Sequence, residues 1–266
     1  MAEADALRET GLIAIHPEMP APGVSSPLPA GAPADEKVMT LVDHLTELRN
    51  RIVVVLLAVA VGSALGFWLA SRIISFLKAP LGTDRPLVFT GLGDAFFINL
   101  KVAIVFGVII AMPVILYELW AFISPGLTPQ ERRLARPWVP LALAFFVLGV
   151  VVAYLVLPYA SAFLLSFQSP DLQALITAEA YFGFVTMLFL VFGLAMEFPI
   201  VLVLLSKVGI VSSKSLAARR RPAILVIAIV AAVATPGGDP ISPVILGVTM
   251  YALFEISIWL VRVTGR

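Results

Sequence analysis

The chain has 266 residues, 60% of them apolar and only 13% charged, with a mean hydropathy of +1.02, which is far from the usage of a soluble globular domain. Its net charge of +1 points to no nucleic-acid partner, because in a membrane protein the placement of charge matters rather than its total. With no cysteine and only two histidines, His16 and His44, disulfide frameworks and Cys-ligated metals are excluded, and a His-based metal site or catalytic triad has too few parts.

Residues 1–36 are rich in Ala, Pro, Gly and Ser, hold six prolines and show no sustained apolar period, so they read as a disordered tail. The tail lacks the basic segment and continuous apolar run of a secretory signal peptide. Residues 37–266 form the membrane domain, with apolar stretches at about 52–71, 102–121, 137–157, 182–205, 222–234 and 244–261. The first four reach about 20 residues, enough to cross about 30 Å of hydrocarbon at 1.5 Å per residue. The fifth and sixth are short, which leaves a re-entrant hairpin or two short spans that thin the bilayer locally; two short spans are the preferred expectation. Pro113, Pro140 and Pro199 fall within spans and are expected to kink them.

Lys and Arg between the stretches set the orientation. With the N-terminus inside, thirteen basic residues face the cytoplasm, among them Arg49, Arg51, Arg132, Arg133, Arg136 and Arg219 to Arg221. Only Arg72, Lys78, Arg85 and Lys101 fall on the opposite side. The expected topology is N-in and C-in.

Residues 40–52 place Leu41, Leu45, Leu48 and Ile52 on one helical face and His44, Glu47 and Arg51 on another. This predicts an amphipathic helix at the cytoplasmic interface, feeding into the first span. A carboxylate there works against binding to an anionic leaflet, so Glu47 requires another purpose. In the next cytoplasmic segment Pro125-Gly126 breaks a helix, Trp120 and Phe122 suit the interfacial belt, and Glu131 stands beside Arg132 and Arg133. Pairing with those arginines is the simplest account of Glu131. Glu197 lies about 12 Å inside the fourth span, a depth at which an acid must face the protein interior or a water-filled cavity. Glu118 and Glu255 lie nearer an interface. Gly91-Leu92-Gly93-Asp94 carries the pattern of an intramembrane aspartyl protease, but no span holds a second Asp to share a proton with it.

The segments HLTELRNR (44–51), AP (79–80), PVILYELWAFISPGL (113–127), ERR (131–133) and MEFP (196–199), the arginine run before Pro222, and TP...D (235–239) resemble TatC. TatC is the large polytopic subunit of the twin-arginine protein translocase, and the resemblance runs in order from about residue 38 to 262. It implies a concave, glove-like bundle of six helices in the bacterial cytoplasmic (inner) membrane. It also implies a receptor for twin-arginine signal peptides of folded cargo, driven by the proton-motive force, with no catalytic turnover, metal or cofactor. Two family glutamates match Glu47 and Glu131, which would grip the ligand's arginines; Arg49, Phe122 and Leu127 match positions that shape the site. Pro80 matches a family position in the first extracytoplasmic loop, and Glu197 matches the intramembrane acid. Thr235 and Asp239 match the region where single-span TatA/TatB-type subunits dock in a larger, self-associated complex. Where the family often has Gln after that Asp, this chain has Pro243 and one extra residue in the turn. The competing expectation is a proton-coupled secondary transporter of a small solute, with Glu197 as relay.

Overall fold

A computed structural model of the protein describes residues 41–82, 86–169, 171, 175–207, 209–235 and 238–263. The expected tail and its junction to the membrane domain lie outside the described residues. The described residues are helix and connecting loop, with isolated bridges in the loops such as the parallel one between Val88 and Thr177. In chain order the helices are α1 (Leu41–Trp68), α2 (Ala70–Lys78), α3 (Asp94–Ile123), α4 (Pro129–Ala135), α5 (Trp138–Leu165), α6 (Ala178–Ala195), α7 (Phe198–Lys207), α8 (Ser213–Ala218), α9 (Arg220–Ala234) and α10 (Ile241–Val263). Among the described residues, five helical segments are long and apolar enough to cross a membrane: α1 from His44, α3 with the turn after it, α5, α6 together with α7, and α10. The remaining apolar stretch is α9, whose 15 residues span about 22 Å at 1.5 Å per residue.

Helix α1 runs without a break from the amphipathic segment into the apolar one. The predicted interfacial helix is therefore not a separate element but the first turns of a 28-residue helix. Nothing in TELRNRI interrupts a helix, since the stretch holds neither Pro nor Gly. α1 packs antiparallel to α3 through small residues. A Cβ on Gly62 would stand 2.7 Å from the Gly107 carbonyl oxygen, and one on Gly66 would stand 2.7 Å from that of Ala103. Such backbone approach is how helices associate where burial from water offers no drive. The outer face of α1 stays apolar and exposed, with Leu57, Val61 and Leu65 along it, as a surface turned to lipid would be.

The core lies between α5, α6 and the helices against them. Phe146 and Phe192 are fully buried, and Gly149 and Gly193 let α5 and α6 close around these rings. The prolines act differently from one another. Pro113 and Pro158 lie inside α3 and α5. Pro140 sits in the first turn of α5, where no helical N–H is required, so it removes no hydrogen bond from the helix. Pro199 coincides with a real break: α6 ends at Ala195 and α7 begins at Phe198, because a proline cannot donate to the carbonyl four residues back.

At the end away from Glu47, short contacts tie the loops together. Tyr181 Oη donates to the Leu77 carbonyl at 2.7 Å, while Val88 N donates to Ile176 O and the Val88 carbonyl accepts from Ala178 N at the start of α6. Asp94 accepts from Gly91 N at 2.7 Å and Thr90 N at 2.8 Å, and so organises the turn that starts α3. The GxGD aspartate thus braces the loop that precedes α3.

Candidate functional site

Glu47 and Arg51 sit one turn apart on α1, in the favourable order of acid before base. Arg51 Nε donates to Glu47 Oε1 at 3.0 Å, its Nη2 reaches the same oxygen, and its Nη1 donates to Glu118 Oε2 at 2.8 Å. Glu118 comes from α3, 67 residues away, and reaches Arg51 because the glycine contacts bring the two antiparallel helices close. All three side chains are largely buried, 15 to 22% exposed. The other oxygen of Glu47, Oε2, is buried and has no hydrogen-bond partner among the described residues.

Beside Glu47 and Arg51 the chain folds a cavity of about 820 Å³. It is lined by Glu47 and Arg51, by Tyr117 and Trp120 of α3, by Ser124, Pro125 and Leu127 of the turn, and by Arg132, Arg133 and Arg136. The turn is a 3₁₀ segment, Ser124–Gly126, with proline in its first positions, and Leu127 N donates back to the Ser124 carbonyl at 3.2 Å. That closure buries Leu127 and starts α4 on a new course. His44 stacks on Phe122, ring centroids 4.5 Å apart, which fastens the start of α1 to the end of α3.

The structure brings Glu47, Phe122 and Leu127 into one region. It does not bring in Arg49, which is exposed and donates to Asn50 Oδ1 at 3.4 Å. Glu131 belongs to α4, between cavity-lining Pro129 and Arg132, and its side chain lies outside the described residues. The residue underrated in the sequence is Glu118. Its signal was the charge count that puts the end of its helix on the Glu47 side.

Glu197 stands in the break between α6 and α7. Its backbone N donates to Leu194 O, and its carbonyl accepts from Ile200 and Val201 at 3.0 and 3.1 Å. Carboxylate Oε1 is buried and unpartnered among the described residues. A second, nearly apolar cavity of about 330 Å³ between α2, α3 and α6 does not include it. At the α9–α10 turn, Thr235 Oγ1 donates to Ala231 O at 2.8 Å and Asp239 Oδ1 accepts from Ser242 N at 2.7 Å. Asp239 Oδ2 and Ser242 Oγ are buried without partners among the described residues. Pro243 occupies the first turn of α10, where its missing N–H costs nothing. Arg220 and Glu255 join α9 to α10 through two bonds of 2.7 and 2.8 Å. Pro80 lies in a 3₁₀ turn, Ala79–Leu81, beside Pro158 and Ser161 of α5.

Five long apolar helical segments among the described residues, with a charged cavity lined by Glu47 and several arginines at one end, define a polytopic membrane protein. Residues 43–248 match the family model of TatC, the Sec-independent protein translocase protein, and this chain belongs to that family. The TatC of Desulforapulum autotrophicum is 38% identical over 237 residues, 87% of each chain. That of Carboxydothermus hydrogenoformans is 35% identical over 230 residues, covering 86% of this chain and 95% of the relative. A crystal structure of the twin arginine translocase receptor TatC in DDM superposes with a TM-score of 0.72 at 34% identity, over 82% of this chain and 99% of that one. The chain is thus a multi-pass membrane component of a protein translocase family, and not an enzyme.

Proposed function

We propose that this chain is the core receptor subunit of a twin-arginine translocase, binding the arginine pair of signal peptides in the cavity around Glu47. The observation that carries this reading is the buried, unpartnered Oε2 of Glu47 beside an 820 Å³ cavity. An unsatisfied buried acceptor costs about 1–3 kcal/mol, and a guanidinium is the donor that suits a carboxylate best. Glu131, on α4, is the second acid for the second arginine. Arg132, Arg133 and Arg136 line the same cavity, so the carboxylates are the attractive points in a positive rim, and peptides with scattered cations are rejected.

In this reading residues 37–266 form six transmembrane helices in a glove-like bundle, N-in and C-in, in the bacterial cytoplasmic membrane. α9 is then a short fifth span, and residues 1–36 are a cytoplasmic tail. Glu197 faces the concave cavity of the glove. Thr235 and Asp239 mark the docking region for single-span TatA/TatB-type subunits, Pro80 shapes the first outer loop, and Arg49 supports the site from its rim. Copies of the chain and these partners together move folded cargo at the expense of the proton-motive force. No observation favours a small-solute transporter.

The test is photo-cross-linking of a twin-arginine peptide to the full chain in membranes. The Glu47→Ala, Glu131→Ala double variant should lose at least about tenfold in yield, the loss of one or more charge-assisted hydrogen bonds. Cross-linking at the wild-type level would sink the site assignment.

A further inference from the structure

We propose that Glu118 is a positioning residue of the arginine-binding site, one that keeps the second oxygen of Glu47 unpaired by drawing Arg51 Nη1 to itself. This rests on the reading of the cavity as a guanidinium site.

The geometry behind it is a partly used fork. A guanidinium free to choose meets a carboxylate with two parallel bonds, one to each oxygen. Arg51 does not: Nε and Nη2 both go to Glu47 Oε1, while Nη1 is held at 2.8 Å by Glu118 Oε2. Glu47 Oε2 is left buried and unmatched. Arg51 therefore acts as an internal arginine that orients Glu47 without saturating it.

The charges agree with the geometry. Glu47, Glu118 and Arg51 sum to −1, which leaves the cluster one cation short of neutrality. Glu118 can act in this way because it lies on a different helix. The α1–α3 glycine contacts set the spacing, so Glu118 cannot follow Arg51 if Arg51 turns toward Glu47. Without the Glu118 charge, Arg51 is free to close bidentately on Glu47, and the cluster becomes neutral.

Charge counting fixes the sign of each variant. Glu118→Gln brings the cluster to zero, Arg51→Gln brings it to −2, and the double variant returns it to −1. The measurement is fluorescence anisotropy of a labelled peptide carrying an Arg-Arg pair, titrated with the purified full chain in detergent. Glu118→Gln should weaken binding about tenfold, the scale of one charge-assisted interaction. Adding Arg51→Gln to it should bring affinity back to within about threefold of wild type, although both members of the interhelical pair are then gone. A purely structural role for Glu118 predicts the opposite, with the double variant no tighter than the single one. Wild-type affinity in Glu118→Gln, or no recovery in the double variant, overturns the proposal. Wild-type affinity in Glu47→Ala, by contrast, overturns the reading of the cavity itself.

Discussion

Glu47, Glu197 and Asp239 each keep one buried carboxylate oxygen without a partner among the described residues. Glu47 and Glu197 stood out in the sequence because a carboxylate is expensive in or beside a membrane, Asp239 only through the family resemblance, and the structure leaves each one incompletely satisfied. Asp239 also has a plain structural task, since its Oδ1 holds Ser242 N at the start of α10. The two roles can be separated. Asp239→Ala should destabilise the protein by about 0.5–2 kcal/mol through the lost cap, whereas Asp239→Asn should stay within a few tenths. Thermal unfolding in detergent gives both values. If Asn lowers stability as much as Ala, the cap is not what Asp239 contributes. Glu118 shows the limit of reading residue by residue. Its neighbour in space, Arg51, is 67 positions away, and nothing in the local pattern joins them.

At the scale of elements, apolar run length proved informative about helix existence and less so about helix ends. Helix α3 begins at Asp94 and α5 ends at Leu165, each about eight residues beyond its apolar stretch. The reason is that capping and loop contacts, not hydropathy, end a helix. Helix α2 went unpredicted for a related cause: ASRIISFLK is too short and too mixed to stand out beside the spans. The open question at this scale is α9. Its 15 residues reach across a bilayer only if the bilayer thins locally. The chain has no cysteine of its own, which makes a direct assay available. Single cysteines replacing exposed Lys214 and exposed Pro240 should label with a membrane-impermeant maleimide from opposite sides of the membrane. Labelling of both from one side would make the α9–α10 turn re-entrant.

For the whole molecule, thirteen basic residues against four predict both ends in the cytoplasm. Fusions after Arg266 and before Met1 test this. Green fluorescent protein should be bright at both ends and alkaline phosphatase inactive, while an active phosphatase at either end would reverse the assignment. Sequence alone determined the solvent, the number of apolar segments and the acids that merit attention, because burial in lipid constrains each segment independently of the others. Segment resemblance also sufficed to identify the family. The tertiary structure decided which of those acids share a site. It left Arg49 off the cavity lining, paired Glu118 with Arg51 beside the cavity, set the GxGD aspartate to bracing the loop before α3, and left one oxygen of Glu47 buried and unpartnered among the described residues. Those outcomes depend on how closely α1 approaches α3, which is set by glycines facing each other across an interface. That is a property of two segments together and is written in neither one alone.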